Sequence, residues 1–128
     1  MRTQVKDIMI SPVITATSLT KASDLMDIMT RKKVHAIPIV SYEKQLPSPK
    51  IVIQGIVTSS DLIGIQNPKT QAGAIMTSKI HIIHKDSSSK SAARMMLKHN
   101  IHHLIVMDEG QIIGIISSMD FVKLVAEE

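Results

Sequence analysis

The chain of 128 residues has no cysteine and no tryptophan, and Tyr42 and Phe121 are its only tyrosine and phenylalanine. Without thiols there are no disulfides and no thiolate metal sites, which fits a reducing, cytoplasmic setting. Without aromatic platforms, stacking of single-stranded nucleic acid is not expected, and any slot for a flat heterocycle must be walled by aliphatic chains. No apolar run approaches the roughly 18 residues of a membrane helix, and Met1-Arg2-Thr3-Gln4-Val5-Lys6-Asp7 lacks the apolar core of a signal peptide. Neither membrane insertion nor export is therefore expected. Strong charge of one sign is missing too: the net charge of +4 suits a phosphate-bearing ligand and equally an ordinary solvated surface.

What the chain does have is an internal repeat. Ile8-Met9 recurs as Ile75-Met76, Met29 as Met96, and Val34-His35-Ala36-Ile37-Pro38-Ile39-Val40 as Ile101-His102-His103-Leu104-Ile105-Val106-Met107, all at a constant offset of 67. Gly55-Ile56-Val57-Thr58-Ser59-Ser60-Asp61-Leu62 then realigns with Gly114-Ile115-Ile116-Ser117-Ser118-Met119-Asp120-Phe121 at an offset of 59, so the first copy carries eight extra residues. These fall within residues 41–50, where Pro47 and Pro49 forbid a central strand and mark an extended hairpin loop. The second copy makes the same turn with Asp108-Glu109-Gly110-Gln111, a tight-hairpin signal. The repeats are read as 1–67 and 68–128.

Periodicity within each copy predicts its elements. Ala22, Leu25, Met26 and Met29 form the stripe of a half-buried helix, with Thr20 as its N-cap; Ala92, Ala93 and Met96 repeat it after the capping cluster Ser87-Ser88-Ser89. Residues 34–40 with 51–57, and 101–107 with 111–116, read as buried strands around a hairpin. Asp61 and Asp120 begin second helices, the latter capped by Ser118. Each copy thus reads β-α-β-β-α, a mixed α/β (α+β) unit of about 60 residues with a sheet too small to hide its apolar face alone. Two pseudo-symmetric copies packed through their sheets solve that problem and create clefts between them.

The repeated frame of Ile-Met, Thr15, a helix ending in Met, an apolar strand, a hairpin and Gly-Ile-Val-Thr-Ser-Ser-Asp resembles the CBS domain over essentially the whole chain. The resemblance implies a tandem CBS pair, or Bateman module, commonly a homodimer, that regulates an attached or separate enzyme or transporter by binding AMP, ADP, ATP or S-adenosylmethionine. An adenine nucleotide is the first expectation, as a regulatory ligand and not a required cofactor. By the same resemblance Asp61 and Asp120 take the ribose-binding position, and Thr58, Ser60 and Ser117 lie where the family meets phosphate. His35, His102 and His103 match the basic positions of nucleotide-sensing pairs such as the gamma subunit of AMP-activated protein kinase, while Ala36 leaves one of them empty. The adenine edge falls to Ile14, Thr15, Ile37 and Pro38 in one copy and to His81, Ile82, Leu104 and Ile105 in the other. The first copy retains Thr15, Pro38, Ser60 and Asp61, so one better-formed site using Asp61 is expected.

Other classes fit less well. Asn100 ends the helix between His99 and His102 and spoils a shared metal-binding face, so no metal site is expected. Arg31-Lys32-Lys33 sits where cations suit a helix C-terminus and lacks a nucleic-acid motif. No nucleophile-base pair or phosphate loop is present, so the chain is not read as an enzyme. A ligand-free dimerisation scaffold or a metal-ion sensor is the alternative.

Overall fold

The computed structural model describes residues 3–44 and 47–127. Gln45 and Leu46, in the extended hairpin loop, lie outside the described residues, as do Met1, Arg2 and Glu128. In chain order the elements are α1 (Val5–Ile8), α2 (Ala22–Lys32), β1 (Ala36–Glu43), β2 (Lys50–Thr58), α3 (Ser59–Leu62), α4 (Ala72–Ile75), β3 (Ile82–His84), α5 (Ser89–His99), β4 (His103–Asp108), β5 (Gln111–Ser117) and α6 (Ser118–Ala126).

They form two compact units whose borders differ from those of the sequence repeats. Described residues from Ile14 to Ile80 make the first-repeat unit, whereas those up to Val13 join those from His81 onward in the second-repeat unit. Each copy of the Ile-Met motif is therefore housed in the other copy's unit. In the second-repeat unit Ile10 and Ile115 exchange backbone hydrogen bonds of 2.8 and 3.0 Å; in the first-repeat unit Ile56 and Thr77 exchange two of 3.0 Å. The glycine that opens each Gly-Ile motif is what permits the approach. A Cβ on Gly114 would stand 2.6 Å from Met9 Sδ and 2.9 Å from the Ile10 carbonyl oxygen, and one on Gly55 would stand 2.7 Å from the Thr77 carbonyl oxygen and 2.9 Å from Met76 Sδ.

In the first-repeat unit β1 and β2 pair antiparallel, Ile37 opposite Val57, with a bulge at Ile39/Val40. Ala22, Leu25 and Met29 turn one face of α2 into the core with Ile37, Ile39, Val57, Leu62 and Ala72. Met26, expected on that stripe, is exposed. Thr20 is not the N-cap of α2. That position is Lys21, and Thr20 Oγ1 instead accepts the Thr17 N-H at 3.2 Å, closing the preceding turn.

The second-repeat unit holds a sheet ordered β3-β4-β5, parallel then antiparallel. Glu109 and Gly110 take φ of 48° and 75°, the two left-handed residues of a two-residue hairpin turn, as the Asp-Glu-Gly-Gln signal predicts. Val5, from the start of the chain, is completely buried among Ile83, Ala92, Met96, Leu104, Val106 and Ile116. Ser88 caps α5 by accepting the Ser91 N-H at 3.0 Å, and Asn100 ends it in the left-handed conformation. Lys6 Nζ, 3.0 Å from Asp86 Oδ1, ties α1 to the turn after β3 and holds that carboxyl below its usual range. Asp108, 3.2 Å from Lys85 Nζ, raises the lysine in the same way.

The initial strand of the β-α-β-β-α plan is realised unequally. In the second-repeat unit it is β3, whereas in the first it shrinks to one parallel bridge, Ala16 to Ile39. Pro38 explains the loss at one end of the pairing. At the equivalent position Ile105 donates its N-H to the His81 carbonyl at 3.1 Å, and proline has no N-H to give to Ile14.

Candidate functional site

The predicted ribose candidates and Thr58, Ser60 and Ser117 lie at the start of the second helix of each unit. Thr58 precedes α3 and Ser117 precedes α6, each with an aspartate three residues on in a capping-box arrangement. Asp61 Oδ2 accepts the Thr58 N-H at 2.8 Å; Asp120 Oδ2 accepts the Ser117 N-H at 2.7 Å and its hydroxyl at 3.2 Å. The N-cap of α6 is accordingly Ser117; Ser118, expected to cap, is the first helical residue and donates its N-H to the His102 carbonyl at 3.0 Å. His35 holds Ser59 likewise, at 2.9 Å. Both histidines thus have their backbones pinned at the helix entrance and their side chains exposed, while Thr58 and Ser117 are half-buried. Ser60 is exposed.

The two carboxylates differ in setting. Asp61 is half-buried, whereas Asp120 is only 6% exposed. Among the described residues Oδ1 of each makes no hydrogen bond. Asp120 lines a cavity of about 330 Å³ with Thr3, Asp7, Ile8, Lys123, Leu124 and Glu127, all within the second-repeat unit. Sequence reasoning missed these companions because Thr3, Asp7 and Ile8 belong to the first repeat along the chain. Three carboxylates against one ammonium leave the cavity acidic, and none of the histidines lines it.

The adenine-edge candidates divide by side chain and backbone. Ile37, Pro38 and Leu104 are buried in the cores, so only their backbones are available to a ligand; Ile14 and Thr15 are half-buried and Ile82 is 45% exposed. The Ile14 carbonyl accepts no hydrogen bond among the described residues, because Pro38 cannot donate to it. Its counterpart on His81 is occupied by Ile105. The His81 ring stacks on His99 with centroids 4.1 Å apart, a contact that the sequence did not signal. Among the described residues no group of three or more His, Asp or Glu side chains is arranged to hold a metal ion.

The CBS domain family model matches residues 5–67 and again 72–127. The chain belongs to the CBS domain family. The crystal structure of the CBS domain pair of protein MJ0100 in complex with 5′-methylthioadenosine and S-adenosyl-L-methionine is similar to this CBS pair, with a TM-score of 0.83 and 29% identity, covering 99% of this chain and 98% of that one. The uncharacterized protein MJ1225 of Methanocaldococcus jannaschii is 28% identical over 97% of the chain, and the inosine-5′-monophosphate dehydrogenase of Chlorobaculum parvum is 29% identical over 78%. This CBS pair spans 43% of the first relative's length and 20% of the second's. No helix among its described residues is long and apolar enough to cross a membrane.

Proposed function

We propose that this CBS pair is a non-catalytic regulatory module that binds an adenosyl ligand, of the 5′-thioadenosyl class before the adenine nucleotides. One observation carries the reading. Where the two repeats differ, at Pro38 against Ile105, the first-repeat unit leaves a backbone carbonyl, Ile14, open beside the strand. An adenine amino group is a donor that this acceptor suits, and Ile14 and Ile37 belong to the aliphatic setting that a chain with two aromatic residues must use. Asp61, in the same unit, has Oδ1 left for a ribose hydroxyl. A charge-assisted bond of that kind contributes roughly 1.5–3 kcal/mol.

The thioadenosyl class is preferred because the open groups, the Ile14 carbonyl and Asp61 Oδ1, are acceptors that suit the adenosine half and offer nothing to a phosphate. In the second-repeat unit the Asp120 cavity is acidic, so a ligand bound there is expected to be neutral or cationic. The relative crystallised with 5′-methylthioadenosine and S-adenosyl-L-methionine agrees with that preference. The nucleotide reading keeps one specific support: His102 and its neighbour His103 flank the entrance of α6, where the helix dipole favours an anion.

Calorimetric titration with 5′-methylthioadenosine, S-adenosylmethionine, AMP and ATP tests both. The thioadenosyl ligands are expected to bind more tightly, and Asp61→Ala to weaken them by roughly ten- to a hundredfold. Tighter binding of AMP or ATP, lost in a His102→Ala/His103→Ala variant, would establish the second reading instead. If none of the four binds, the module is a scaffold. Pro38→Ile, which restores the N-H present at Ile105, is expected to lengthen the strand pairing, raise the melting temperature and weaken adenosyl binding.

A further inference from the structure

We infer that the exposed face of α5 is a docking surface for an acidic, amphipathic helical segment of a partner protein. The two first helices of the repeats occupy equivalent positions at an offset of 67 and have the same buried face, Ala22, Leu25 and Met29 in α2, Ala92 and Met96 in α5. Their outer faces have diverged. Helix α2 carries Asp24 and Asp27 with Arg31 and Lys32, and Arg31 Nε lies 2.8 Å from Asp27 Oδ2. In α5 the position of Ser23 is Lys90, that of Asp27 is Arg94 and that of Arg31 is Lys98, with no acidic residue in the helix.

Lys90, Arg94 and Lys98 are exposed and follow one another at i, i+4 and i+8, a row ~12 Å long on one side of the helix. None of the three makes an ion pair among the described residues. Leu97, one turn from Arg94, stands beside the row with 83% of its surface exposed. Lys98 in the last turn suits the helix dipole, but the rest of the row works against the helix itself. Like charges at i, i+4 repel, and Lys90 places a cation in the first turn, where the helix dipole disfavours it. The first repeat demonstrates that the same helix can be built with a compensating pair, so nothing in the packing of α5 calls for the cations.

The row matches carboxylates at the same helical spacing on a second helix, with Leu97 supplying an apolar contact at its margin. Single-stranded nucleic acid fits less well, since α5 offers no aromatic side chain for stacking. A lipid surface fits less well too, because Leu97 is the one large apolar residue exposed on α5 and membrane-seeking helices need a broad apolar face.

The test uses the full chain and a synthetic helical peptide of about four turns bearing glutamates at i, i+4 and i+8 beside leucines, read by fluorescence anisotropy at about 50 and about 300 mM salt. Binding is expected at low salt, weakened at high salt, and reduced about tenfold or more by Lys90→Glu/Arg94→Glu/Lys98→Glu. Arg94→Asp recreates the pairing of α2, so it is expected to hold or raise the melting temperature while lowering peptide affinity; a merely structural role for Arg94 would not separate the two. The proposal is overturned if the reversed variant binds the peptide equally well, or if duplex DNA or phosphatidylserine vesicles bind the native chain more tightly than the peptide does. Salt-sensitive self-association that disappears in the reversed variant would also overturn it, by making a second copy the occupant.

Discussion

Gly114→Ala and Gly55→Ala are each expected to destabilise the protein by about 1–3 kcal/mol, the range for forcing an extra carbon into a packed site. The reason is contact with backbone as well as side chain. Met9 can swing its sulfur away from a new methyl group, but the Ile10 carbonyl at 2.9 Å is held by its bond to Ile115, and the Thr77 carbonyl at 2.7 Å by its bond to Ile56. Relief of the clash therefore separates the exchanged segment from its host strand. Thermal melts of the two variants measure the loss. A double-mutant cycle locates it: Gly114→Ala should couple to Met9→Ala and Gly55→Ala to Met76→Ala, by about 0.5–3 kcal/mol, while the crossed pair Gly114 with Met76 should be additive. Coupling of the crossed pair would mean that each Ile-Met motif packs on its own repeat.

Val5→Asp is expected to have the larger effect. Val5 is completely buried, contributes its side chain to the core beneath α5, and has no cation among its core neighbours Ile83, Ala92, Met96, Leu104, Val106 and Ile116 to receive a carboxylate. An unpaired charge in such a place costs several kcal/mol, a large part of the roughly 5–15 kcal/mol that holds a small protein together. Amide exchange gives the decisive reading. Protection should fall most along 89–99 and 103–117, which lie over Val5, and less along 22–32 and 36–58, although Val5 is part of the first repeat along the chain. Equal loss in both regions, or loss confined to the first repeat, would count against the exchange.

Much of the molecule was legible in its sequence because most elements are decided locally. The periodicity of Ala22, Leu25 and Met29 and of Ala92 and Met96 marked both long helices, the left-handed turn at Glu109-Gly110 was written in its residues, and Asn100 stopped α5 as its type suggests. Of the candidate site, the local helix entrance was legible to the level of residue types: hydroxyl, then aspartate, in a capping arrangement in each repeat. Capping residues were misplaced where several hydroxyls compete within a turn. Thr20 and Ser118 have the right chemistry, and only the path of the chain selects Lys21 and Ser117 as the boundary residues.

Repeat, element types and the aliphatic character of any binding slot were thus determined by the sequence alone, since they follow from the order of side chains over a few turns. Tertiary structure decided what two near-identical segments could not decide for themselves. Ile8-Met9 and Ile75-Met76 carry the same pattern, and either could lie over Gly55 or Gly114; the pairing of Met9 with Gly114, 105 residues away, is a long-range choice that no local pattern encodes. From that choice came the cavity beside Asp120, whose lining joins the start of the chain to its last helix. The open carbonyl of Ile14 has the same origin in pairing, for a proline at position 38 acquires its meaning only when the strand that needed its missing N-H has been brought alongside.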